Sequence, residues 1–445
     1  MHFIKKFYLW RFFAMKNAKK LVLITTSIII AGMIILYSCK SYTGPGKRNI
    51  FEEGGDYILP ANFLSQEEQY SPMDPDSQAR VLFTNECKIP ALTISSRGTL
   101  IAAVGCGTTK GKLIGKRSSD FGKNWTEFTA ITENNFGDSH VHPFFINCHN
   151  GDILLGISTT NEAQNNVIFY RSNTDGSSWS KETGTIEMPL SSSNQVGTKF
   201  NPKYVFATYG NGLTLRHGTN KALLFPYFYR IQHSQANGGG LTSTMISTDD
   251  GKTWNQHGAD YGDFTQNEAK FIELADGKVI INFRRGNHLN QEYWVVSDDL
   301  GKTWKNLNTE TGDTTSHVDF VRYEFNGKDI KPGSSGSKYA LMVYSDRKRN
   351  NYNATLSVND FNNGLGSHAG KHLYDKVVAS NVASVGNAEN IYPAITVLPD
   401  GTIATLAEET NNMVFRRFNL SWLTSSSDGE DGEEYIDYDT DNILK

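Results

Sequence analysis

Ser247-Thr248-Asp249-Asp250-Gly251-Lys252-Thr253-Trp254 and, fifty residues on, Ser297-Asp298-Asp299-Leu300-Gly301-Lys302-Thr303-Trp304 set the frame for the rest of the chain. Both fit S-x-D-x-G-x-x-W. In such a turn the aspartate accepts backbone N–H groups, the glycine takes a positive φ, and the tryptophan packs on a neighbouring layer. A third copy runs from Ser118 to Trp125. A variant from Ser172 to Trp179 has Thr174 in the aspartate position, and a decayed one begins at Ser357 with Asn359 and Asp360 but no tryptophan. A second signal alternates with these turns, an x-Gly dipeptide ahead of an apolar strand: Arg97-Gly98, Asn150-Gly151, Asn211-Gly212, Asp276-Gly277, Asn326-Gly327 and Asp400-Gly401. Such dipeptides supply the φ > 0 that hairpin turns demand. A period near fifty residues with six turns predicts an all-β fold, a six-bladed β-propeller of four-stranded antiparallel blades.

Composition agrees with that reading. The 445 residues include 40 glycines, 25 phenylalanines and 20 tyrosines, which suits many short strands and tight turns. A formal charge of −4 and an isoelectric point near 6.3, with no basic stripe, exclude a nucleic-acid binder. At the N-terminus Lys16, Lys19 and Lys20 precede an apolar run from Leu21 to Tyr37, followed by Ser38-Cys39. A basic region, an apolar stretch and a small residue before the cut define an export signal. Leu36-Tyr37-Ser38-Cys39 resembles a bacterial lipobox, which implies a lipid anchor at Cys39 in the cell envelope, facing the surface or the periplasm. An uncleaved membrane anchor is the alternative. Residues 1–38 are thus read as the signal segment, 39–80 as a polar tether, 81–423 as the propeller and 424–445 as an acidic tail that cannot bury a core. If Ser96-Arg97 is the tip of a two-residue hairpin, Cys87 and Cys106 fall opposite each other, either as a disulfide or as buried thiols. With Cys148 the remaining count is three, so no disulfide framework is implied.

Four further stretches, in order between the turns, resemble the sialidase (neuraminidase) superfamily of Asp-box propellers over roughly residues 81–423. They are Cys87-Lys88-Ile89-Pro90; Asn267-Glu268 with Asp276-Gly277 and Asn282-Phe283-Arg284; Tyr344-Ser345 followed by Arg349; and Tyr392 with Leu398-Pro399-Asp400-Gly401 and Leu406-Ala407-Glu408. The resemblance implies a retaining exo-sialidase acting on sialylated glycans, with no cofactor. In it Tyr392 is the nucleophile and Glu268 its base. A neutral phenol approaches an anomeric carbon bearing a carboxylate with less repulsion than an anion does, and it needs a base because free tyrosine ionises near pH 10. Arg284 and Arg349 would clamp the substrate carboxylate through paired guanidinium hydrogen bonds, with Arg285 and Arg347 as the neighbours to consider if the register shifts. Glu408 would brace the first clamp residue. Taken singly, Tyr392 reads equally as a packed strand aromatic, and each arginine as a strand-end surface residue.

Two departures stand out. Lys88 occupies the first clamp position, where the family has arginine; it keeps the charge and loses the fork. The segment Val104-Gly105-Cys106-Gly107 and the loop after it contain no carboxylate before Asp120, so the family's general-acid aspartate has no counterpart. His142 and His140 are the candidate proton donors, since histidine titrates near neutrality; their spacing does not make a metal site, and none is expected. Three readings follow: an attenuated sialidase, hydrolase or trans-sialidase; a non-catalytic carbohydrate-binding propeller; and a glycosidase or lyase for another acidic sugar.

Overall fold

A computed structural model describes residues 71–84, 87–107, 111–128, 141–159, 167–182, 204–230, 241–257, 266–274, 276–285, 292–306, 318–324, 339–345, 351–358, 374–380 and 391–425, with 64, 65, 68 and 382. The expected signal segment, the acidic tail from 426, Asn326-Gly327 and the decayed turn at Asn359 and Asp360 lie outside these residues.

The strands form six small sheets, a six-bladed β-propeller. The first blade is Cys87–Ile94, Leu100–Cys106, Lys112–Ser118 and Thr126–Glu127. The inner strands of the second and third are Val141–Asn147 and Tyr204–Ala207. Those of the fourth, fifth and sixth are Gln266–Glu273, Asp319–Arg322 and Pro393–Val397. The ring closes where Arg80–Thr84 adds to the outer edge of the sixth blade beside Asn412–Phe418. Pairing the start of the domain with its end ties the ring shut, because the outer strand of the last blade comes from the residues that precede the first. Ahead of that strand, residues 71–78 also pack on the sixth blade. Met73 N–H donates to Asn419 Oδ1 at 2.9 Å, and Arg416 pairs with Asp76.

The S-x-D-x-G-x-x-W turns join third and fourth strands. In the Ser247 copy, Ser247 Oγ donates to Asp249 Oδ1 at 2.8 Å and accepts from Gly251 N–H at 2.8 Å. Asp249 in turn takes Thr253 N–H at 2.9 Å. Thr174 does the same work without a charge, accepting Ser178 N–H at 3.0 Å. The residue before each glycine is left-handed as well: Phe121, Asp175, Asp250 and Leu300 all have φ between 54° and 62°. Glycine is required at 251 on two counts. Its φ is +82°, and a Cβ there would stand 2.3 Å from Leu154 of the preceding blade. Trp254 stacks on Phe169 of that blade, centroids 5.4 Å apart. Apolar clusters accordingly lie between blades, for example Phe144, Phe225 and Trp254 between the second and third.

One expected hairpin is absent. Asn211-Gly212 does not turn a hairpin; Gly210–Asn211 runs parallel to the second blade's inner strand, opposite Phe144 and Phe145. This detour carries the chain to the propeller axis. There Asn211 Nδ2 donates to Leu92 O of the first blade at 2.7 Å, and Asn211 O accepts from Lys270 Nζ of the fourth at 2.8 Å. Lys270 pairs with Asp319 of the fifth blade at 2.9 Å, and Asp319 Oδ2 accepts Ile395 N–H of the sixth at 3.0 Å. Gly210 must be glycine, with φ +89° and Lys270 Nζ 2.8 Å from where a Cβ would sit.

Lys270 and Asp319 are almost wholly buried, so burial lowers the lysine pKa and raises that of the aspartate, and each partner's charge offsets part of the shift. Removing one member of such a pair leaves a bare charge and costs about 3–5 kcal/mol, whereas replacing both by apolar groups is often neutral. Lys270→Met is therefore expected to destabilise the domain by about that amount in urea unfolding. The double variant Lys270→Met/Asp319→Leu should recover most of the loss. Equal losses in single and double variants would contradict this account of the axis.

Candidate active site

Two β-bulges aim the central side chains. The fourth blade's inner strand changes register between Gln266 and Ala269, and Glu268 lies in the irregular step. Bulges of this kind re-aim a side chain. Glu268 is buried, and its two oxygens are divided: Oε1 accepts Tyr392 Oη–H at 2.9 Å and Oε2 accepts Arg284 Nη1–H at 3.0 Å. Arg284 is the next-to-last residue of the second strand of the same blade and is 24% exposed, so the guanidinium is anchored on Glu268 and still reaches solvent.

The second bulge is at Ile89. The hairpin turns through Ser95 and Gly98, not through a two-residue tip, and sets Ile94 opposite Leu100. Continued unbroken, that ladder would miss pairing the cysteines by one position. A shift between Lys88 and Pro90 brings Cys87 opposite Cys106, and the two form a disulfide. Cys148 is a free, buried thiol. The shift places Ile89 at φ +61°, a genuine outlier for a β-branched residue. Its N–H donates to Glu408 Oε1 at 2.7 Å, and its side chain packs with Tyr209 and Tyr392. Glu408 N–H also donates to Tyr392 O at 3.2 Å. Glu408 thus holds the backbone one residue beyond Lys88, and the Lys88 charge also acts on its carboxyl; Lys88 itself is exposed.

Beneath Tyr392 lies Tyr209, edge to face with centroids 5.0 Å apart. Tyr209 is fully buried and precedes the Gly210–Asn211 detour, so the strut that laces the axis also floors the site. Sequence reasoning missed it by reading Asn211-Gly212 as a hairpin. Glycines at 210 and 212 flanking one asparagine were the available sign of close backbone approach. His142 sits, buried, at the N-terminal end of the second blade's inner strand. His140, Arg347 and Arg349 lie outside the described residues, as does the side chain of Arg285.

The electrostatics follow from burial. Burial, then the Glu268 charge, holds the Tyr392 hydroxyl well above its usual range, against the pull of Arg284. The phenol therefore keeps its proton, aimed at a carboxylate. Burial works against the Arg284 charge, but Glu268 and Tyr392 outweigh it and keep the guanidinium firmly protonated. Glu408 is pushed up to about 8 by burial, with Ile89 N–H and Lys88 pulling the other way.

No protein-family model matches the chain. In sequence it is similar to a sialidase of Micromonospora viridifaciens, 25% identical over 383 residues that cover 80% of this chain and 54% of that protein. A sialidase of Bacteroides fragilis is 29% identical over 151 residues, covering 34% of this chain and 24% of that one. The chain is a divergent relative of the sialidases. It spans about half the length of the first of these proteins and about a quarter of the second. Among solved structures, the intramolecular trans-sialidase of Ruminococcus gnavus matches with a TM-score of 0.59 at 14% identity, covering 80% of this chain and 100% of that one. The Trypanosoma rangeli sialidase matches at 0.55 and 17%, covering 76% and 58%. At such identities these structures speak for the propeller alone.

Glu408 yields a pH test. Its folded-state pKa lies above its ordinary 4.5, so between about 4.5 and 8 the folded chain holds a proton that the unfolded chain has released. Stability from this group therefore falls as pH rises through that window. Glu408→Gln keeps an acceptor for Ile89 N–H and cannot ionise. The melting temperature of the variant minus that of the parent is expected to increase steadily from pH 5 to pH 8.5, and parallel curves would refute the assignment.

Proposed function

We propose that the chain is an exo-sialidase that releases terminal sialic acid from glycoconjugates with retention, exported and lipid-anchored at Cys39. The observation that carries this reading is the division of Glu268 between Tyr392 and Arg284, a phenol and a guanidinium on the two oxygens of one buried carboxylate. The substrate carboxylate lies toward Arg284, with Lys88 and Arg349 completing the cationic cradle. Tyr392 Oη attacks the anomeric carbon as its proton passes to Glu268 Oε1. The glycosidic C–O bond breaks, and the leaving oxygen takes a proton from His142, His140 or solvent. Water then attacks the anomeric carbon and gives its proton to the group that protonated the leaving oxygen or to solvent; the tyrosyl–sugar bond breaks and the phenolic oxygen recovers its proton from Glu268. Another sugar hydroxyl in that step would make the reaction a trans-sialylation.

A second reading, a carbohydrate-binding propeller without turnover, is favoured by one observation. Lys88 is exposed where the family has a clamping arginine, and no acid replaces the missing aspartate among the described residues of the first blade. Loss of general-acid help costs roughly 10²–10⁴-fold, and less for a leaving group that departs as a stable anion.

The test compares an aryl sialoside with a natural sialyl-oligosaccharide. The parent is expected to cleave the aryl substrate well and the natural one weakly. Glu268→Gln should lower kcat/KM on the aryl substrate by on the order of 10²–10⁴-fold, as for removal of a positioned base. Tyr392→Phe should abolish formation of the covalent intermediate, read by mass spectrometry with a fluorinated sialoside. A parent that binds sialic acid and turns over neither substrate establishes the second reading instead.

A further inference from the structure

The strand Cys87–Ile94 pairs with Leu100–Cys106 in regular antiparallel steps, from Ile94 opposite Leu100 to Pro90 opposite Val104. Then the ladder jumps. Lys88, not Ile89, stands opposite Gly105, and Cys87 stands opposite Cys106, so one residue on the first strand is extra. That residue, Ile89, has a φ of +61°. Left-handed backbone is an outlier for a β-branched side chain, and a following proline presses its neighbour toward extended conformations as well. Two local preferences therefore oppose the bulge. In its favour stand the hydrogen bond from Ile89 N–H to Glu408 Oε1 at 2.7 Å and the packing of Ile89 against Tyr209 and Tyr392.

The alternative is an unbroken ladder. Continued past Pro90 and Val104, it sets Ile89 opposite Gly105 and Lys88 opposite Cys106. Ile89 is then extended, its N–H leaves Glu408, and its side chain leaves the two tyrosines. Side chains alternate along a strand, so the one-residue slip also turns Lys88 to the other face of the blade. Cys87 passes beyond Cys106, and the bond between them is compatible with the bulged ladder alone. Each register thus has terms that the other lacks. A covalent bond that only one of them permits selects between the two.

We propose that the Cys87–Cys106 disulfide is a redox lock on the candidate active site. Oxidised, it holds Ile89 against Tyr392; reduced, it lets the strand slide by one residue and withdraw both Ile89 and Lys88. The reductant is a dithiol. Its thiolate attacks the sulfur of Cys87, which is partly exposed at the start of its strand, and Cys106 leaves as a thiolate and takes a proton. The second thiol of the reductant then displaces Cys87, which is protonated in turn, and closes the reductant's own disulfide. Two electrons and two protons have passed to the protein. Cys148, a buried free thiol, takes no part. The lock concerns the first blade and holds whatever chemistry Tyr392 performs.

The test uses the full chain before and after reduction with dithiothreitol, with alkylation and mass spectrometry showing that Cys87 and Cys106 are both reduced. Amide exchange over residues 87–94 is expected to become at least about tenfold faster, while protection over Val279–Arg285 of the fourth blade stays as it was. Unchanged exchange in the reduced chain overturns the proposal. Loss of protection in both blades overturns it too, since that is unfolding and not a slide. A crystal structure of Cys87→Ser/Cys106→Ser reads the register without a reductant. Ile89 extended and opposite Gly105 supports the lock, and Ile89 still left-handed with its N–H on Glu408 overturns it. Where the aryl sialoside is cleaved, kcat/KM is expected to fall at least about tenfold on reduction and to return on reoxidation; equal values in the two states overturn the lock. A chain inactive in both states overturns the sialidase reading alone, and the exchange and the register then decide the lock.

Discussion

The structure depends on a buried ion pair at the hub. Blades of a propeller meet side by side along apolar faces, and such faces fix spacing better than they fix axial position. Lys270 and Asp319 add a directional constraint, because two charges withdrawn from water tolerate little misplacement. Through Asn211 O and Ile395 N–H the same pair reaches the chain segments at the second and sixth blades. The Asn211 side chain extends the lacing to the first blade. A hub built this way is expensive to assemble and rigid once assembled, which suits residues that must converge from separate blades.

The candidate active site is supported from that hub. Glu268 lies two residues before Lys270 on one strand, and Tyr392 immediately precedes the strand whose Ile395 N–H reaches Asp319, so both are within three residues of groups bonded to the ion pair. Tyr209 fills the gap beneath the phenol, and the left-handed Ile89 closes its side. Holding a β-branched residue at positive φ costs on the order of 1–3 kcal/mol and persists only where the surroundings over-determine it. Here the surroundings are the Glu408 carboxyl group, the apolar contact with Tyr392 and the Cys87–Cys106 disulfide at the end of the hairpin.

Chemically the site is strong on one side and weak on the other. Tyr392, Glu268 and Arg284 form a contiguous hydrogen-bonded set. The first-blade side contributes an exposed lysine in place of a fork. Under the proposed function this asymmetry favours substrates whose leaving group departs unaided.

The repeats were legible in the sequence because their chemistry is local. Ser, Asp, Gly and Trp at fixed offsets close a turn whatever surrounds it, and x-Gly hairpins at 98, 151, 277 and 401 need only the φ that glycine permits. Tyr392, Glu268 and Arg284 could be singled out from their positions relative to those turns, and the fold brings the three together. What the sequence left undecided was each feature that depends on contacts between distant segments. Examples are the bulge that slides Cys87 opposite Cys106, the detour of Gly210–Asn211 to the axis, the burial of Lys270 against Asp319, and the hydrogen bond of Glu408 to the Ile89 N–H. None of these has a local signature. A one-residue register shift costs nothing in composition, and a buried charge looks like a surface one until its partner, tens of residues away, is placed beside it.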